Sequence, residues 1–255
     1  MWTNGENGKS LFKNFRVEWW EVPGRDEAWK QEMLATLPGG EIEFAQEYAC
    51  EFLGSSDTLI NISSLKMLRY SEVYVRDVFT FGFKRYEEVK EGHQYIMTVD
   101  PAKDGLDKFA VHVFDVSKFP FIQVASANIN VNYLKMPGVL YEIGTYYNNA
   151  FIIVENNEGA GQSVVDKLYD NYEYENLYRD PNKEYYGFRT TNTTRNQILS
   201  NLKIFLENNK IYLNDKDTID QLFVFINRGG KYQADKGYHD DLVMALAILF
   251  ASFLS

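Results

Sequence analysis

The chain has 255 residues, 45% of them hydrophobic and 16% aromatic, enough to bury one large domain or one domain with an extension. Its formal net charge of −10 counts against a tight, non-specific nucleic-acid binder, which wants a basic face, but leaves room for an enzyme that holds an acidic substrate through cations and a local basic strip. No apolar run reaches the roughly 18–20 residues that span a bilayer, no basic stretch leads into an apolar N-terminal core, and the single cysteine, Cys50, excludes an internal disulfide and points to a reducing compartment.

In chain order, residues 1–75 read as a mixed, polar region. Helices are expected over 26–37 and 41–52, separated by Pro38-Gly39-Gly40, and Val17-Glu18-Trp19-Trp20 reads as an edge strand. Gly5-Glu6-Asn7-Gly8-Lys9-Ser10 has the flavour of a phosphate-binding loop. That pattern needs Gly where Thr3 stands, and no apolar strand precedes it, so the segment reads as a coincidental loop.

Residues 76–255 change character. Aromatic and β-branched runs over 93–100, 109–116 and 121–127 predict a three-strand antiparallel meander. A helix over 137–149 and a strand over 151–155 follow. Helices over 161–172 and 194–208, a short strand over 211–213, and helices over 218–226 and 240–253 complete the pattern. Strands first, then alternating helices and strands, is the order of an α/β domain built on a mixed sheet flanked by helices. A right-handed crossover would lay the fourth strand parallel to the first, so that both open their C-terminal ends on one edge.

Each of those ends carries a carboxylate. Asp100 closes the first strand ahead of Pro101, where the plain alternative is a turn-starting Asp. Glu155 closes the fourth, after Ile152-Ile153-Val154, where an unpaired charge is costly and calls for a cation or strong donors. Asp240-Asp241 opens the last helix; one is a natural N-cap, and the helix dipole favours both. Adjacent like charges beside an apolar helix also suit a shared cation. Asp107 and Asp104, in the hairpin after Asp100, read either as solvated turn residues or as aids to a second ion. With only His93, His112, His239 and Cys50 available, the sequence argues against a structural zinc site. An all-oxygen set selects Mg²⁺ or Mn²⁺. Two such ions about 4 Å apart can activate water and stabilise the leaving oxygen in phosphodiester hydrolysis.

HQYIMTVDPAKDGLDKFAVHVFDV (93–116), FIIVENNEGAGQSVVDKLYD (151–170) and GYHDDLVMALA (237–247) together resemble the large terminase subunits of tailed phages, particularly the T-even-like group. The resemblance implies an RNase H-like nuclease domain with two bound metal ions. By motif it carries the metal-binding acids onto Asp100, Glu155 and Asp240-Asp241, with Asp241 favoured as the direct ligand and Asp107 as a further hairpin acid. Asp100, Glu155 and Asp241 are then the catalytic residues of a metal-dependent endonuclease. It would cut concatemers of double-stranded phage DNA at the initiation and termination of packaging.

Residues 15–60 resemble the segment that closes the packaging ATPase, so the chain reads as a C-terminal fragment without its motor. Portal protein, small terminase, the ATPase domain and double-stranded DNA are the implied partners, and the host cytoplasm the implied location. Among the basic residues, Arg189, Arg195, Lys203 and Lys231 are the expected DNA contacts. Arg195, opening a helix beside Thr193-Thr194, makes a phosphate seat. Two rival readings stand beside this one: another RNase H-like nuclease of resolvase or integrase type, and a non-catalytic packaging-motor scaffold that grips DNA and docks on the portal.

Overall fold

Side chains alternate across a strand, so each strand of a sheet buried on both sides feeds two cores, and this alternation organises the molecule. A computed structural model describes residues 17–36, 44, 48, 57–76, 82–101, 108–129, 134–157, 159–180 and 183–254. The chain divides into two compact units, Met1–Leu53 and Gly54–Ser255.

In the first unit, Trp19–Glu21 is a short 3₁₀ turn and α1 (Glu27–Thr36) follows. The strand expected at 17–20 is therefore absent: Glu18 and Glu21 exchange a capping box that winds the chain into the turn. Trp19 packs against Trp29 (6.1 Å between centroids) and Phe44 (5.5 Å), and Arg25 lies over Trp29. Most of the helix expected over 41–52, the Gly5–Ser10 loop and the hairpin acids Asp104 and Asp107 lie outside the described residues.

The second unit opens with α2 (Ile62–Met67), β1 (Val75–Arg76) and β2 (Lys84–Arg85). The predicted meander is β3 (Tyr95–Asp100), β4 (Phe109–Asp115) and β5 (Phe121–Ile129). Then come α3 (Met136–Tyr146), β6 (Phe151–Val154), α4 (Ala160–Asp170), α5 (Asn192–Glu207) and β7 (Ile211–Tyr212). The chain closes with α6 (Lys216–Phe223), the strands β8 (Phe225–Arg228) and β9 (Lys231–Ala234), α7 (Asp241–Ile248) and a 3₁₀ segment, Leu249–Phe253.

The strand order is β1-β2-β5-β4-β3-β6, with β7 pairing in parallel along β5. β3 is antiparallel to β4 and parallel to β6, as the crossover argument requires. One face of the sheet presents Met97, Val99, Val111, Val113, Ile152 and Val154 to a core shared with α3 and α4. The opposite face presents Phe114 and Ile153 to a second core built with α5, α6, α7 and the C-terminal segment.

The helix expected over 218–226 stops at Phe223, and the chain then turns into a hairpin that the reading of the sequence missed. Arg228 pairs with Lys231 across Gly229-Gly230, whose φ angles of +62° and +88° suit a two-residue hairpin turn.

Candidate metal and nucleic-acid site

Strand register fixes where the two strand-end acids lie. The parallel pairing of β3 with β6 runs to Val99↔Val154, and the Glu155 amide donates to the Val99 carbonyl at 2.8 Å. Asp100 and Glu155 are the next residues, neighbours across strands about 4.8 Å apart. Their immediate predecessors, Val99 and Val154, both point into the core shared with α3 and α4. Alternation therefore turns Asp100 and Glu155 to the other face, the one that α7 covers.

An independent pairing agrees. Asp100 lies directly across β4 from Ala110, and Ala110 clusters with Leu242 and Ala245 of α7. Residues directly opposite in an antiparallel pair share a face. The helix α7, with Asp241 as its first residue, thus packs on that same face, against β3 and β4. Among the described residues, no three His, Cys, Asp or Glu side chains are gathered closely enough to hold an ion as they stand.

Glu155 is 9% exposed, and its Oε1 accepts a 2.8 Å hydrogen bond from Asn157 Nδ2. Among the described residues it has no ion-pair partner. A desolvated carboxylate with one neutral donor is electrostatically incomplete, and a hard divalent cation is the kind of group that completes it. The donor set fits such an ion: Asp100, Glu155 and Asp241 offer carboxylate oxygens only.

Backbone packing supports that corner. A Cβ on Gly161 would stand 2.2 Å from the Glu155 carbonyl oxygen, so only glycine lets α4 begin this close to the strand end. Neither Asn157 nor Gly161 was singled out from the sequence. The Asn-Asn-Glu-Gly-Ala-Gly run after the strand was the only signal, and it does not say which residue touches the carboxylate.

The two acids of the doublet are placed differently. Asp240 is at the N-cap position of α7, but its side chain makes no capping hydrogen bond. Its Oδ2 instead accepts from the Ala234 amide at 3.3 Å and lies 3.7 Å from Arg195 Nη2. Asp241 Oδ2 lies 4.0 Å from His239 Nδ1.

Behind the helix start, the fully buried His112 lies 2.9 Å through Nε2 from the Leu242 carbonyl oxygen and 2.8 Å through Nδ1 from Gln123 Nε2. A carbonyl only accepts, so Nε2 carries the proton and Nδ1 accepts from the amide. Burial lowers the His112 pKa, keeping the ring neutral.

The basic residues divide in the same way. Arg189 is exposed, its guanidinium stacked 4.3 Å over the Tyr185 ring, and Lys231 is exposed at the start of β9. Lys203 donates to the Leu59 carbonyl at 2.8 Å and pairs with Glu207 at 2.9 Å. Arg195 points inward: Nη2 donates to the Tyr232 carbonyl at 3.0 Å and Nη1 to Met244 Sδ at 2.8 Å. At the helix start expected as a phosphate seat, Thr191 and Thr194 exchange a capping box.

No protein-family model matches the chain. It is 24% identical, over 249 residues and 95% of its length, to the terminase large subunit of Thermus virus P23-45. The chain spans about half the length of that relative, 47%. Its fold matches the large terminase nuclease of the thermophilic phage G20c, solved with bound magnesium, at a TM-score of 0.62 and 20% identity, covering 77% of this chain and 98% of that one. The Thermus phage P74-26 large terminase nuclease domain matches at 0.58 and 21% identity, covering 74% and 93%. The RNase H-like mixed sheet expected from the sequence is the fold these neighbours share with the chain. Along nearly its whole length the chain is thus similar in sequence to terminase large subunits, and over three quarters of it similar in fold to large terminase nuclease domains.

Proposed function

We propose that the chain is a divalent-metal-dependent endonuclease of viral genome packaging. It cuts concatemers of double-stranded DNA when packaging starts and when it ends. The observation that carries this reading is the placement of Asp100 beside Glu155, on the face covered by the start of α7. The similarity to a nuclease solved with bound magnesium and with bound cobalt supports it.

Asp100, Glu155 and Asp241 hold the ions, Mg²⁺ or Mn²⁺ and two in number. When bound, these supply an activated water and offset charge on the scissile phosphate. The protein's own part is positional. Asn157 orients the Glu155 carboxylate by its 2.8 Å hydrogen bond, and the parallel register of β3 with β6 keeps Asp100 beside it. Arg189 and Lys231, both exposed, serve the DNA backbone, and Asp107 assists from the hairpin after Asp100. The residues ahead of the nuclease close the packaging ATPase; the boundary expected at 75/76 lies, in this reading, at Leu53/Gly54, where the compact units divide. The ATPase domain, portal protein and small terminase are the partners, and the host cytoplasm is the setting.

The test is plasmid nicking in Mg²⁺ or Mn²⁺ by the Asp100→Asn and Glu155→Gln variants, with circular dichroism to check folding. Removing a charged ligand of this kind is expected to cost at least about a hundredfold in rate. Cutting at the rate of the parent protein by both folded variants would remove the catalytic assignment. Cutting of a four-way junction in preference to linear duplex would favour a resolvase.

A further inference from the structure

Arg195 was expected at a phosphate, and its surroundings argue for another task. Its side chain is 15% exposed, with Nε buried and lacking a hydrogen-bond partner. Its two terminal nitrogens are engaged by the Tyr232 carbonyl of β9 and the Met244 sulfur of α7. One cation thus bridges the first turn of α5, the β8–β9 hairpin and the last helix. The acid it faces, at 3.7 Å, is Asp240.

Asp240 also departs from habit. An Asp at an N-cap ordinarily accepts from the amides of its own helix. Here the side chain makes no such bond and turns to the hairpin amide of Ala234 and to Arg195.

We propose that Arg195 is a positioning residue that withholds Asp240 from the ion set, so that the two carboxylates of the doublet are inequivalent. This rests on the nuclease reading above. Arg195 neutralises the acid next to the ion-binding one, relieving repulsion between adjacent carboxylates while the site is empty of cations. By holding Tyr232 and Met244 together it also fixes the direction from which α7 presents its first residue.

The test is a calorimetric Mn²⁺ titration of the DNA-free protein, with Asp241→Asn, Asp240→Asn, Arg195→Met and the double variant Arg195→Met/Asp240→Asn. Asp241→Asn should weaken binding by roughly tenfold or more, and Asp240→Asn by less than about twofold, the difference between losing a ligand and losing a neighbour. Arg195→Met should tighten binding roughly three- to tenfold by releasing Asp240, and the tightening should vanish in the double variant, a non-additivity expected of contacting residues.

Equal weakening by Asp240→Asn and Asp241→Asn would overturn the proposal, and that comparison stands even if Arg195→Met does not fold. So would tightening by Arg195→Met that persists without Asp240, which is the behaviour of a plain charge. An Arg195→Met protein with weakened DNA binding and an unchanged Mn²⁺ titration would return Arg195 to the phosphate backbone. Absence of Mn²⁺ binding by the parent protein at millimolar concentration, together with nicking that survives Asp100→Asn, would instead overturn the nuclease reading itself.

Discussion

Asp215 shows how far one residue can be pushed by its partners. It is 1% exposed, and burial alone would raise its pKa. Hydrogen bonds and charge from Lys84, with Thr218 and Tyr86, instead hold it down at about 2. Lys84 Nζ and Tyr86 OH both donate to Oδ1 at 2.8 Å, and Thr218 Oγ1 donates to Oδ2 at 2.6 Å. Asp215→Ala removes an acceptor shared by three donors while leaving Lys84 to Asp217 and Tyr86 to Ser126, and should cost about 1–3 kcal/mol, readable from urea denaturation. The pH dependence has a definite sign. A carboxylate whose folded pKa is depressed stabilises fully above its unfolded value of about 3.9, and that contribution disappears as pH falls. Between about 4 and 2 the parent protein should therefore lose stability more steeply than Asp215→Asn, a window set by the folded value of about 2. Identical acid slopes would mean that Asp215 is not ionised in the fold.

At the scale of elements, β4 and α7 are joined through His112, 130 residues from the Leu242 carbonyl it contacts. The ring is held neutral by burial, so the unfolded chain takes up its proton first as pH drops below about 6.5. Stability is then lost from that pH downward, until the folded ring also protonates. His112→Leu should cost about 1–3 kcal/mol and remove this component between pH 7 and 5. It should also speed amide exchange in the first turn of α7; unchanged exchange would show that the helix start does not depend on the ring. None of this was legible in the sequence, where His112 is one polar residue in an apolar strand. The pattern of near-continuous β-branched and aromatic runs did expose β3, β4, β5 and β6, because each strand is buried on both faces and bounded by turn residues. It also placed Asp100 and Glu155 at strand ends on one edge. It missed β8 because Leu222-Phe223-Val224-Phe225-Ile226 is continuously apolar and continues a helix as readily as it begins a strand. The Gly229-Gly230 turn was the signal that separates the two. The contacts of Arg195 with Asp240, Tyr232 and Met244 were not legible either: a cation at a helix start looks the same in sequence whether it faces solvent or an Asp on another element.

For the whole molecule, the net charge of −10 would, on the proposed function, set DNA against most of the surface and concentrate productive contact where cations gather. The architecture also says where the chain can be divided. Leu59, Ile60 and Leu65, ahead of β1, belong to the core that α5, α6 and α7 share. The same segment is tied to the hairpin: Thr58 bridges Ile226, and the Leu59 amide donates to the Phe225 carbonyl at 3.1 Å. Residues 57–67 therefore travel with the central sheet, and the compact unit that contains them begins at Gly54. A fragment of residues 54–255 should melt cooperatively within a few degrees of the full chain and retain Mg²⁺-dependent nicking. A fragment of residues 77–255 loses three core side chains, each worth about 2–5 kcal/mol in large-to-small terms, a total that rivals the stability of an ordinary domain. It should show a much lower or non-cooperative transition by calorimetry, with nicking lost for want of a fold rather than of a ligand. If 77–255 melts at the same temperature as 54–255, the segment through β1 is a passenger, and the folded unit is smaller than its packing indicates.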